Sequence, residues 1–141
     1  MLGTQADVLL VEDDANDIAV ALRAFRRNSL EARVCVLRDG AELVDYTQPD
    51  KLQGRTPKVI LLDLKMPRMD GRTALRNLRS RPETRKIPIV IVSSSSQQSD
   101  VRECYELGAN SYVVKQLTPW SPGAYLVDIV RYWLDRNEVA S

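Results

Sequence analysis

The sequence contains no histidine. That absence removes, on this chain, a phosphohistidine intermediate, a histidine-ligated zinc ion and any Ser-His or Cys-His nucleophilic apparatus. Also lacking are an apolar run of the ~18 residues that a membrane-spanning helix requires and a charged-then-apolar leader at the start. Cysteine is scarce, with two residues in 141. Cys35 falls in a predicted strand and Cys104 in a predicted helix, so both read as reduced core residues rather than a disulfide. Neither charge is in excess: twenty basic against nineteen acidic residues leave a net charge of +1, which offers no electrostatic case for nucleic acid. No repeat or low-complexity tract occurs beyond Ser93-Ser94-Ser95-Ser96. A soluble, cytoplasmic chain of one domain, spanning residues 1–141, is expected, with an ordinary 44% hydrophobic content.

The chain is organised around Val59-Ile60-Leu61-Leu62-Asp63-Leu64-Lys65-Met66-Pro67-Arg68-Met69-Asp70-Gly71. An apolar run of strand length ends in the Asp63 carboxylate, after which Pro67 and Asp70-Gly71 force a turn. Apolar residues at nearly every position suggest a strand buried on both faces, as in the parallel sheets of α/β domains. In such sheets ligands bind outside the carboxyl ends of the strands, where Asp63 falls. A lone Asp there would read as a turn or cap residue. A second apolar run, Val8-Leu9-Leu10-Val11, also ends in carboxylates, Glu12-Asp13-Asp14. If the two strands are parallel neighbours, Glu12, Asp13 and Asp63 converge. Their mutual repulsion raises pKa values unless a cation offsets it, and hard oxygen ligands of this kind suit magnesium.

Asp7–Val11 reads as a strand, followed by a helix over Ala15–Asn28 with Asp14 or a neighbour as its cap and Arg23, Arg26 and Arg27 at its solvated end. Ala32–Leu37 reads as a second strand and Ala41–Tyr46 as a second helix. The polar segment Thr47–Lys58 reads as a loop with at most a last helical turn. Beyond the strand ending in Asp63, Arg72–Arg79 reads as a short basic helix and Ile87–Val92 as an apolar strand. Asp100–Leu107 is a helix closed by Gly108, and Ser111–Val114 is a strand with Lys115 at its end. After Pro119 and Pro122, Ala124–Asn137 carries Leu126, Ile129, Val130, Trp133 and Leu134 on one helical stripe. The alternation argues an α/β fold, a parallel sheet with helices on both faces and right-handed crossovers.

Four strands end in Glu12-Asp13, Asp63, Ser93 and Lys115. A carboxylate can attack a phosphoryl group and form an aspartyl phosphate when a metal and a cation neutralise the developing charge. Two carboxylates, a backbone carbonyl and a phosphate oxygen would serve magnesium, Lys115 supplies a point charge, and Ser93 can donate a hydrogen bond.

With these motifs, and with Gly108-Ala109-Asn110-Ser111-Tyr112-Val113-Val114-Lys115, the chain resembles the response-regulator receiver domain of two-component signalling from Asp7 to about Leu134. The resemblance implies a flavodoxin-like (βα)5 fold of strand order 2-1-3-4-5. It implies that Asp63 accepts a phosphoryl group from a sensor histidine kinase. Asp13, Asp63 and the Lys65 backbone carbonyl, beside Glu12, would hold Mg2+. Ser93 and Lys115 would contact the phosphoryl oxygens. Ser93 and Tyr112 would act as the switch, altering the face of the fourth helix, fifth strand and fifth helix, while Lys65 and Ser95 sit where dephosphorylation is tuned. Tyr112 also has a plain packing reading, Ser94, Ser95 and Ser96 read as ordinary loop residues, and Trp120 and Trp133 read as core or interface anchors.

Gln116 follows Lys115 where the family usually has a cis proline; a non-proline cis bond costs ~3 kcal/mol, so a trans bond is expected. With Leu37-Arg38-Asp39-Gly40, Tyr105–Tyr112 and Tyr132-Trp133-Leu134, this resembles stand-alone regulators that work with phytochromes, and implies a bacteriophytochrome as the kinase. No output domain is expected after the last helix. That helix, with Tyr125, Tyr132 and Trp133, could support a homodimer, or bury its stripe against its own sheet. Two alternatives stay open: a degenerate receiver acting as a binding module, and a magnesium-dependent phosphohydrolase. The second normally needs another Asp two residues after the nucleophile, where this chain has Lys65.

Overall fold

The computed structural model describes residues 6–116 and 120–139. Its strands are β1 (Val8–Val11), β2 (Val34–Leu37), β3 (Val59–Leu62), β4 (Ile89–Ser93) and β5 (Ser111–Val114). All pairings are parallel, in the order β2-β1-β3-β4-β5. The fold is the flavodoxin-like one. Every residue of β1, β3 and β4 is buried, whereas β2 and β5 are mostly half-buried edges. Near-continuous apolar runs therefore occupy the centre of the sheet, where both faces are covered.

Alternate strand residues feed two cores. Leu9, Val11, Ile60, Leu62, Ile89 and Ile91 pack with α2 (Gly40–Tyr46), α4 (Gly71–Ser80) and α5 (Gln98–Glu106) through Leu43, Leu75, Leu78 and Cys104. Val8, Leu10, Val59, Leu61, Val90 and Val92 face the other way, against α1 (Ala15–Arg27) and α6 (Ala124–Arg131) through Ala21, Phe25, Leu126, Val127 and Val130. Cys35 and Cys104 are unpaired. The last helix buries part of its stripe on its own sheet.

Local sequence explains most helix starts. Asp14, Asp39 and Asp70 each cap a helix by accepting from the amide three residues on, Asp17, Glu42 and Thr73 respectively.

Several expected boundaries move. The segment expected as one strand from Ala32 instead makes a 3-10 turn over Glu31–Arg33, with Arg33 drawn into an ion pair to Asp7 at 2.8 Å. Within the polar loop, Pro49 opens a one-turn helix, α3 (Pro49–Leu52), that buries Leu52. The last helix widens into a π-helical turn over Tyr132–Arg136, closed by the Asn137 amide on the Tyr132 carbonyl. Trp120, read as a core or interface anchor, is 86% exposed and belongs to neither core, whereas Trp133 packs on the α1 and α6 side and meets Tyr132 edge-on. Pro119 lies outside the described residues. Among those described no peptide bond is cis, so Lys115 and Gln116 are joined in trans.

Candidate functional site

Register determines what meets at the carboxyl end of the sheet. Val11 lies beside Leu62, so Glu12 and Asp63 emerge level on adjacent strands. The Asp63 amide donates to the Val11 carbonyl at 3.1 Å and its Oδ1 accepts the Leu64 amide at 2.7 Å. The carboxylate is thereby fixed at its root, with Oδ2 turned to the Lys115 ammonium. Glu12, Asp13 and Asp63 each offer an oxygen within 4.8 Å of the others. Glu12 and Asp63 are 5% and 8% exposed, and Asp13 is exposed.

The main countercharge in this cluster is Lys115. Strand β5 delivers it, its amide bonding the Ser93 carbonyl at 2.8 Å. Its ammonium donates to Glu12 Oε1 at 2.8 Å, Asp17 Oδ2 at 2.8 Å and Asp63 Oδ2 at 3.3 Å. Burial works against this charge, but the hydrogen bonds to Asp17 and Glu12 outweigh it and hold the lysine firmly protonated. The second Glu12 oxygen accepts the Asp14 amide at 3.1 Å. Glu12 is pushed up to about 7, with burial the largest cause and Asp63 adding to it against Lys115. Mutual repulsion, the cause expected from sequence, is thus the smaller of the two.

Glu12, Asp13, Asp14, Asp17, Asp63, Lys65, Ser94 and Lys115 line an open cleft of about 400 Å3. Ser93 lies beneath it, 2% exposed, its Oγ accepting the Ser95 amide at 3.1 Å, which leaves its own proton to donate. Tyr112 does not reach the cleft. Its hydroxyl donates to the Ser95 carbonyl at 2.8 Å while its ring packs on the core.

The loop from Lys65 to Asp70 is held from two sides. Arg68, with a left-handed φ of 63°, donates to the buried Asp39 carboxylate at 2.6 Å, and the Gly40 amide donates to the Met69 carbonyl at 2.9 Å. The Arg68 guanidinium holds the Asp39 carboxyl below the usual carboxylate range. At the loop's end, a Cβ on Gly71 would stand 2.2 Å from the Asp63 carbonyl oxygen. Only glycine lets the helix pass so close to the strand end.

Sequence reasoning missed Asp17 and the contacts that Ser95 makes. Asp17 sits on the first turn of α1, and its place three residues after the Asp14 cap was the only local hint of where its side chain falls. Ser95, read as a loop residue at a position where the resemblance has dephosphorylation tuned, is in addition a hub that sequence did not show: its amide reaches Ser93, its carbonyl receives Tyr112, and its hydroxyl donates to Asp100, which also pairs with Arg72.

The sequence profile of the response regulator receiver domain matches residues 8–121. The chain belongs to the response regulator receiver family. Members of this family are signalling phosphoacceptors rather than enzymes. This receiver is 34% identical over 131 residues to the probable methanogenesis regulatory protein FilR2 of Methanothrix harundinacea, covering 92% of the chain and 84% of that protein. It is 29% identical over 130 residues to response regulator Rcp1 of Synechocystis, covering 91% and 88%. Among solved structures it superposes on the phosphorylated cyanobacterial phytochrome response regulator RcpA with a TM-score of 0.84, at 30% identity over 95% of this chain and 97% of that one. It superposes on the Mn(2+)-bound form of Rcp1 with a TM-score of 0.81, at 28% identity over 95% and 98%. The receiver is therefore related to phytochrome response regulators, and its acidic cluster has the all-oxygen chemistry of a divalent-cation site.

Proposed function

We propose that this receiver takes a phosphoryl group onto Asp63 from the phosphohistidine of a sensor histidine kinase, and signals in the cytoplasm through a changed protein-binding face. The observation that carries the reading is the Asp63 oxygen held 3.3 Å from the Lys115 ammonium beside Glu12 and Asp13. An Asp63 carboxylate oxygen forms the new O–P bond as the P–N bond of the donor breaks. The departing imidazole keeps the electron pair and takes a proton from solvent. Lys115 neutralises part of the charge on the phosphoryl oxygens, and Ser93 donates its hydroxyl proton to one of them.

The donor set fits a hard divalent ion, since carboxylates outnumber cations in the cleft. Asp13, Asp63 and the Lys65 carbonyl, beside Glu12, would hold Mg2+, which supplies further neutralisation of the phosphoryl charge. Relatedness to phytochrome response regulators supports a bacteriophytochrome as the kinase. Tyr112, tied to Ser95 two residues from Ser93, is the proposed reporter of the reaction, altering the face of α5, β5 and α6. Tyr105, Val114 and Tyr132 are exposed on these elements and the turn that follows them. We assign this face to a homodimer, which light scattering at high micromolar concentration tests directly.

Labelling by acetyl phosphate, read by intact mass, tests the central step. One phosphoryl group adds to the native chain with Mg2+, none adds with chelator, and none adds to Asp63→Asn. Labelling that persists in Asp63→Asn would sink the assignment.

A further inference from the structure

The ammonium of Lys115 has three protons and, in this structure, three carboxylate acceptors, of which the phosphoacceptor is the most distant. The contacts to Glu12 and Asp17 are 2.8 Å each and that to Asp63 is 3.3 Å, so the cation is drawn toward the α1 side of the cleft. A phosphoryl group on Asp63 adds negative oxygens that compete for the ammonium. To close on them from the 3.3 Å that it now keeps from Asp63, the ammonium lengthens one of its two shorter bonds. Glu12 is the costly one to release, because it is buried and its other oxygen is already committed to the Asp14 amide. The Asp17 side chain is 45% exposed and can take water in exchange.

We propose that Asp17 is a positioning residue: a resting-state tether that holds Lys115 off the phosphoacceptor and lets go when the phosphoryl group arrives. This rests on the phosphoacceptor reading of Asp63 and deepens it, since it makes the availability of the lysine, and hence the rate of phosphoryl uptake, a property set from α1. The side chain is free for this task. The helix start uses the Asp17 backbone amide, which caps on Asp14, and not its carboxylate. Nothing in the reaction is transferred to or from Asp17.

The test uses the full chain with Asp17→Asn and Asp17→Ala. At saturating Mg2+, the limiting rate of labelling by acetyl phosphate rises about three- to tenfold, more in Ala than in Asn, as expected when a charge-assisted hydrogen bond to a half-exposed group is removed. The half-saturating acetyl phosphate concentration changes little. In nuclear magnetic resonance of the 15N-labelled protein, the Lys115 ammonium signal of Asp17→Asn differs from wild type in the resting state. The two signals coincide once beryllofluoride occupies the site, because the tether is then released in both. A rate that stays level or falls in either variant, or a signal difference that persists with beryllofluoride, overturns the proposal alone. Absence of any labelling in the wild-type chain overturns the phosphoacceptor reading and the tether with it.

Discussion

Two half-buried cations stand at opposite ends of the same sheet and are treated in opposite ways. At the amino end, Arg79 donates to the carbonyls of Gly108, Arg85 and Ile87 and to Asn110 Oδ1, at 2.7–3.0 Å. Asn110 Oδ1 also accepts the Ile89 amide, so the guanidinium locks the start of β4 to the start of β5. Its partners are neutral and its fork of donors matches their positions. At the carboxyl end, Lys115 is divided among three carboxylates from three elements, beside an open cleft. Behind it lies a cavity of about 270 Å3 between α1 and α6, lined in part by Leu10, Val20, Leu61, Val92 and Leu126. One end spends its cation on rigidity. The other shares its cation among carboxylates and leaves unfilled space beside it.

Substitutions can break this contrast, beginning with the largest effect. Asp63→Asn should lose the proposed phosphoryl uptake altogether, whereas Arg79→Met should leave uptake per folded molecule unchanged; intact-mass labelling corrected for the folded fraction compares them. Arg79→Met should instead cost about 3 kcal/mol in chemical denaturation, because four acceptors lose a charged donor at once. Gly71→Ala sits between the two classes. Its Cβ would press on the Asp63 carbonyl, so a loss of roughly 2 kcal/mol in stability should accompany weaker divalent-cation binding by calorimetry. A stability loss with unchanged cation binding would place Gly71 with the structural end.

Lys115→Met should destabilise by about 1–2 kcal/mol in chelator, since the carboxylates are left facing one another. Saturating Mg2+ should recover most of that loss through binding to the folded state, and it should recover none of the Arg79→Met loss. The smallest effect concerns a settled ion pair at the active end, Arg68 with Asp39. Asp39 has a folded pKa below its unfolded value, so its contribution is present above the unfolded pKa and is lost as pH falls through the folded one. Thermal melts of Asp39→Asn, which keeps the cap acceptor of α2, should therefore show a flatter loss of stability than wild type as pH falls below about 4. An unchanged acid limb would show that Arg68 does not hold the loop through charge.

Much of the fold was legible because its signals are local. Apolar runs of strand length, helical stripes such as Ile18, Leu22 and Phe25, and the caps Asp14, Asp39 and Asp70 all act within a few residues. The strand ends were legible for the same reason: an apolar run that stops at Asp63 or at Glu12-Asp13 exposes its charge there. Other features were not. Trp120 read as a core or interface anchor, and its exposure rules out the core half of that reading. The contacts of Ser95 were hidden too, since they depend on Tyr112, 17 residues away.

By itself the sequence determined the alternation of strands and helices, the carboxylates, serine and lysine at the strand ends, and, through its motifs, the receiver family. Tertiary structure alone decided how those charges share one another. Lys115 bonds Glu12 103 residues away, Asp17 98 residues away and Asp63 52 residues away. Such sharing depends on strand register and on which carboxylate is buried, and both arise only when the sheet assembles and removes water from its carboxyl end.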